Sequence, residues 1–150
     1  MKFIKITLLK IYWKIFRPKT LGVKLLLINN GKVLLVEHSY IKGLFLPGGG
    51  VKRGEIFERA LKREAFEELG LEIEKLSLFG VYQNTKEGKI DTIVVFVSND
   101  SIDITKIKLN SEIYHADFYD LNNLPINISP GSKKRIEEYR SKNFPITKEW

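Results

Sequence analysis

Apolar residues run through most of this chain in short, β-rich stretches separated by turn chemistry. Gly22–Ile28 and Val33–Glu37 flank Asn29-Asn30-Gly31-Lys32, where Asn and Gly tolerate positive φ, so the pattern predicts a hairpin. Leu44–Leu46 reads as a short extended piece stopped by Pro47 and three glycines. Ile73–Asn84 and Ile90–Val97 read as paired strands around Thr85-Lys86-Glu87-Gly88-Lys89, and Ile113–Tyr119 as a further strand. Helical spacing replaces alternation over Glu55–Leu69, with Gly54 before it and Gly70 placed to end it. A second helix is expected over Ser132–Ser141, introduced by Pro130-Gly131. Mixed strands with two separated helices predict an α/β domain whose helices cover both faces of the sheet.

The first residues follow another rule. Over residues 3–16, Ile4, Leu8, Ile11, Tyr12, Ile15 and Phe16 fall on one side of a helix. Thr7, Lys10, Lys14 and Arg17 fall on the other, with Phe3 and Trp13 at the boundary. Pro18 ends this amphipathic helix. The expected organisation is therefore an N-terminal basic helix over residues 1–18 and a domain over 19–150. Lysines at 5, 10 and 14 break the apolar stretch that a secretory signal needs, and a small-residue cleavage site is missing. The helix suits packing on the domain or against a second subunit, as in a homodimer; a peripheral contact with an anionic membrane is the rival reading.

Charge sharpens this division. The net charge is +7, and residues 1–24 hold seven basic residues and no acid, so they carry the whole excess. A nucleic-acid-binding domain spreads its basic stripe over the folded surface, so no nucleic-acid partner is expected. With no Cys, a disulfide scaffold, a thiolate metal site and a cysteine nucleophile are excluded. The longest strictly apolar run is Ile93–Val97, far short of a membrane-spanning helix, and a cytoplasmic protein is expected.

The chemistry concentrates between Gly49 and Leu71. Glu64, Glu67 and Glu68 stand at i, i+3 and i+4 and share one helix face. Arg63 reaches Glu67 at i+4, yet one arginine does not neutralise three acids. An oxygen-only cluster suits a hard cation, Mg2+ or Mn2+. A random Glu-x-x-Glu-Glu would be a solvated acidic face. Pro47-Gly48-Gly49-Gly50 changes that reading, because a glycine loop entering a helix suits close approach of backbone to a ligand.

Gly49, Glu55, Arg63, Glu64, Glu67, Glu68, Gly70 and Leu71 together fill the pattern Gly-x5-Glu-x7-Arg-Glu-U-x-Glu-Glu-x-Gly-U, where U is bulky and aliphatic. The segment resembles the Nudix box of the Nudix hydrolases; its one departure is the small Ala65 at the first U. The resemblance extends over about residues 20–125. It implies a Nudix-like α/β/α sandwich with a mixed β-sheet, here preceded by the amphipathic helix. It also implies that Glu64, Glu67 and Glu68 hold the metal, with the Gly48 carbonyl as a further ligand. Gly49, Glu55, Arg63 and Gly70 then act as supports of the site. Glu112, in Ser111-Glu112-Ile113, matches a position where relatives place another functional glutamate, and Glu64 and Glu112 are the two candidates for the catalytic base. The implied reaction is metal-dependent hydrolysis of the diphosphate of a nucleoside diphosphate linked to another moiety, a small-molecule substrate. A nucleotide-sensing module of the same fold, tethered by its N-terminal helix, is the alternative.

Substrate choice is not written in the box. The landmarks of the ADP-ribose, coenzyme A and dinucleoside polyphosphate subfamilies are absent, and Leu44 stands where many relatives carry Trp. Tyr82 and Phe45 are the expected substrate-binding residues, with Tyr40 and Phe118 as further stacking candidates. His38 and His115 share no ligand spacing, and Ser39, Ser111 and Ser132 lack a nucleophile-elbow context.

Overall fold

The computed structural model describes residues 19–85, 90–143 and 146–150. The N-terminal helix expected over residues 1–18 and most of the turn at 86–89 lie outside the described residues. Among the described residues seven strands and two α-helices follow in chain order, with one turn of 3-10 helix at Ile104–Lys106. They are β1 (Lys19–Asn29), β2 (Lys32–His38), β3 (Ile41–Phe45), α1 (Phe57–Leu69), β4 (Ser77–Asn84), β5 (Ile90–Ser98), β6 (Ile113–Asp120), α2 (Pro130–Arg140) and β7 (Ile146–Glu149). The sheet order is β3-β2-β1-β5-β4-β7, with β6 paired to β2. The β1–β5 and β4–β7 pairs are parallel and the others antiparallel, so the sheet is mixed as expected.

Alternation along β1 sets the layers. Val23, Leu25 and Leu27 pack with Leu61, Ala65 and Leu69 of α1, whereas Leu26 and Ile28 join Ile136 of α2 and Phe79, Tyr82 and Val95. The helices therefore cover opposite faces, and a strand buried on both sides must be apolar almost throughout. This is an α/β/α sandwich.

The hairpin forms as read, with Asn30 and Gly31 at φ 49° and 75°. Other boundaries move for local reasons. α1 starts at Phe57 instead of Glu55, because the Glu55 carboxylate accepts from the Lys52 amide and holds a loop. β4 starts at Ser77 instead of Ile73, because the Asp100 carboxylate takes the amides of Glu74 and Lys75 that a ladder would need. β7 was not expected: it is four residues long and only Ile146 is buried, so it offers no alternation to read.

One topological feature prepares the site. β1 pairs with β2 only at Ile28↔Val33 and Asn29↔Lys32, next to the turn. Beyond them, β1 takes the glycine loop as its neighbour instead. Leu25 N donates to Pro47 O and Val23 N to Gly49 O (both 2.9 Å), and Val51 N donates to Leu21 O (3.0 Å). The loop is thereby fixed as if it were a strand.

Candidate active site

The glutamates ride on α1, whose end is closed by Gly70 in the left-handed region (φ 66°). Gly70 N donates to Phe66 O and Leu71 N to Ala65 O, which satisfies carbonyls that a helix end would otherwise leave unpaired. A Cβ on Gly70 would also lie 3.2 Å from Lys108 Cβ, so both conformation and packing favour glycine at this position.

Arg63 organises the acidic face. Its Nε donates to Glu55 Oε1 (2.8 Å) and Nη2 to Glu55 Oε2 (2.9 Å), a bidentate clamp. Nη1 donates to Glu64 Oε1 (2.6 Å) and Glu67 Oε2 (3.1 Å), and Nη2 also reaches Gly50 O (2.9 Å). One guanidinium thus ties three carboxylates to the glycine loop. The clamp and the Lys52 amide hold the Glu55 carboxyl down to about 2, and the bonds to Glu55, Glu64 and Glu67 hold Arg63 above its usual range. Removing this fork (Arg63→Ala) is expected to lower the melting temperature and cut turnover roughly tenfold, the scale seen when outer partners of metal ligands are lost. Arg63→Lys should not restore either, since an ammonium cannot span the fork. Thermal melting with steady-state kinetics checks this, and unchanged values in Arg63→Ala would remove the supporting role.

Glu68 differs from its neighbours because it is buried, at 4% exposure, while Glu67 is half-exposed. Its Oε2 accepts from Gly48 N at 3.4 Å. Burial pushes its carboxyl up to about 7, the nearby Glu64 and Glu112 charges add to the rise, and Lys24 and the Gly48 amide oppose it. Glu64 lies against Gly49 so closely that a Cβ there would stand 2.5 Å from its carboxylate. Glycine is required at 48, where φ is 134° and a Cβ would fall on the Val23 carbonyl oxygen, whereas a side chain at 49 would displace the Glu64 carboxylate.

Glu112 comes to the same end of the fold. Asn110 Oδ1 accepts from its amide (2.9 Å), and its carbonyl accepts from Ser39 N (2.8 Å), so β6 enters the sheet with this exposed acid beside the cleft. Its charge is felt at Glu68 and at the Tyr40 phenol. Tyr40 is 71% exposed and stacks by His38 at 5.1 Å; burial of its hydroxyl, then Glu68, Glu112 and Glu64, raise the phenol.

The other expected stacking residues separate. Phe45 is partly buried, packs on the α1-side core and stands 5.7 Å from the His38 ring, which Tyr40 also approaches. Tyr82 is different: it is fully buried in the α2-side core, under the Arg135 guanidinium (3.9 Å) and beside Trp150, and its hydroxyl donates to Glu138. The structure places it away from the glutamates as a core residue, because alternation on β4 turns it to the other face. Phe118 packs at the edge of the α1-side core.

Lys24 was missed altogether. It interrupts the apolar strand β1, and its Nζ donates to Leu46 O (3.0 Å) and Gly48 O (3.3 Å) beside the Glu68 and Glu64 charges. Burial lowers its amine, and those two carboxylates pull it back towards the charged form. The signal was a lone lysine inside Val-Lys-Leu-Leu-Leu-Ile, hidden by counting it with the basic extension.

The donors fit a hard divalent cation in kind: a buried carboxylate, a second one against a glycine, and a loop carbonyl, all oxygen. Among the described residues no three such groups already converge into a cage, and Arg63 draws Glu64 and Glu67 to itself.

A carboxylate helix with an arginine fork, entered through a glycine loop fixed along a sheet edge, defines a class of phosphate-handling hydrolases. The chain belongs to the NUDIX family: the family's domain model matches residues 18–139, and the protein is a Nudix pyrophosphohydrolase. It is 34% identical over 141 residues to an ADP-ribose pyrophosphatase of Methanocaldococcus jannaschii, covering 92% of this chain and 82% of that protein. The fold matches the crystal structure of the MutT protein from Methanosarcina mazei (TM-score 0.74, 22% identity, covering 86% of this chain and 98% of that one). It also matches the NUDIX domain of Shewanella oneidensis NrtR solved with ADP-ribose (TM-score 0.72, 19% identity, covering 86% and 91%).

Proposed function

We propose that this protein hydrolyses the diphosphate of a nucleoside diphosphate linked to a second moiety, with Mg2+ or Mn2+, and that ADP-ribose is the first substrate to test. The observation that carries this reading is the buried Glu68, held beside the glycine loop on the helix face it shares with Glu64 and Glu67, an all-oxygen donor set of the kind a hard divalent cation takes. The pyrophosphatase relative from Methanocaldococcus jannaschii and the ADP-ribose seated in the Shewanella oneidensis domain support the substrate class. Residues 19–150 form the catalytic unit in this reading, and residues 1–18 an appended segment. No helix among the described residues is long and apolar enough to cross a membrane.

Glu64, Glu67 and Glu68 with the Gly48 carbonyl would hold the ion. When bound, it supplies the charge that offsets the diphosphate oxygens and makes water a better nucleophile at neutral pH. The chain's own groups do the rest. Arg63 keeps Glu64 and Glu67 turned to the glycine loop, and the fixed loop backbone aligns the diphosphate over α1. Glu112 is the proton acceptor, because Glu64 already gives its carboxylate to Arg63 whereas Glu112 stands exposed at the rim. Tyr40 and the partly buried Phe45 offer a stacking surface for the nucleoside base.

A panel of nucleoside diphosphate derivatives and triphosphates, each with Mg2+ or Mn2+ and products read by mass spectrometry, tests the reading. Cleavage of ADP-ribose to AMP and ribose phosphate is expected. Binding by calorimetry with no turnover across the panel would replace the enzyme by a nucleotide-sensing module.

A further inference from the structure

The glycine loop presents its carbonyls alternately. Pro47 O and Gly49 O accept from the β1 backbone, and Leu46 O and Gly48 O, which that ladder leaves over, both accept from the Lys24 side chain. Lys24 sits on the same strand between the fully buried Val23 and Leu25 and is itself half-buried, its amine spent on those two loop carbonyls. Gly48 is meanwhile bonded at both ends, its amide to Glu68 and its carbonyl to Lys24. A positive group is therefore built in against the Gly48 carbonyl, with the Glu68 carboxylate on the amide of that same residue, and both are oxygens to which the proposed function assigns the ion.

We propose that Lys24 is the resident cation of the metal cleft. It holds the Gly48 carbonyl and offsets Glu68 and Glu64 when no ion is bound, and it opposes the divalent ion for the same oxygens, so that it sets the metal affinity of the enzyme. Two cations crowding one set of oxygens repel each other, and a unit charge beside a double charge is worth about a factor of ten in affinity even in a high dielectric. A lysine that served only to clip the loop would act in the opposite direction, because losing it would let the Gly48 carbonyl drift and weaken the metal site. Lys24 is thus a positioning residue whose charge has a sign that can be read.

This inference rests on the assignment of Glu68 and Gly48 to the metal, and the experiment separates the two. Mn2+ is titrated calorimetrically into the full chain, and melting is followed with and without Mn2+. Lys24→Met is expected to melt lower than wild type without metal, to bind Mn2+ about tenfold more tightly, and to gain more in melting temperature from Mn2+. Lys24→Arg should stay near wild type in all three, and Lys24→Gln, uncharged but still a donor, should follow Lys24→Met. Unchanged or weaker Mn2+ binding in the uncharged variants overturns the proposal. So does their failure to fold both with and without Mn2+, whereas folding only with Mn2+ supports it. Glu68→Gln in the same titration serves as the separate control: wild-type Mn2+ affinity there would sink the metal-site assignment itself, whatever Lys24 does.

Discussion

Glu68→Gln is expected to lower turnover by at least ~100-fold while leaving the fold intact, because it removes a preorganised charge without changing shape. Glu68 is the buried member of the cluster, so no water can stand in for its charge. Its raised carboxyl gives the same prediction a second reading. In the metal-free protein the folded state holds the Glu68 proton up to about pH 7, whereas the unfolded chain releases it near the ordinary 4.5. Between those values the folded state binds more protons, so stability falls as pH rises, by up to about 3 kcal/mol in total. Glutamine has no such proton. The melting advantage of Glu68→Gln over metal-free wild type should therefore be small at pH 5 and large at pH 8. An equal gap at both values would mean that Glu68 is not charged and buried at neutral pH. Turnover within a few-fold of wild type in saturating Mg2+ would remove it from the machinery.

The parts of the fold that were legible in the sequence were those where one rule acts alone. Asn30-Gly31 admits few turns, and the spacing from Arg63 to Gly70 fixes which side chains share a helix face. Legibility failed where long-range contacts decide. Tyr82 and Phe45 look alike in sequence as aromatics in β-rich runs, yet strand alternation and the buried Arg135 put Tyr82 on the far side of the sheet. Lys24 failed in the other direction. A lysine on a strand reads as solvent-facing, and only the departure of β1 from β2 after two pairs brings the glycine loop within reach of its amine. Glu112 was singled out by resemblance, but its arrival at the cleft depends on a loop amide, Asn110 and Ser39, which no periodicity shows.

Gly48→Ala should be the most destabilising single-methyl change in the site. Gly48 has φ 134°, which an L side chain rarely adopts, and a Cβ there would fall on the Val23 carbonyl oxygen, with Lys24 Cα at 3.0 Å. The usual escape is for one backbone to retreat, but hydrogen bonds from Val23, Leu25 and Val51 fix the loop to β1 on both sides of residue 48. Strain and overpacking therefore add, at about 3 kcal/mol or more by denaturant unfolding. Activity should fall with stability, since any retreat carries the Gly48 carbonyl away from Lys24 and its amide away from Glu68. Gly50→Ala is the matched control. A Cβ at Gly50 meets nothing within 4 Å and its φ is ordinary, so stability should change by no more than about 0.5 kcal/mol. If the two alanines cost the same, the loop is not held against β1 as the hydrogen bonds indicate, and the glycines serve flexibility instead of close approach.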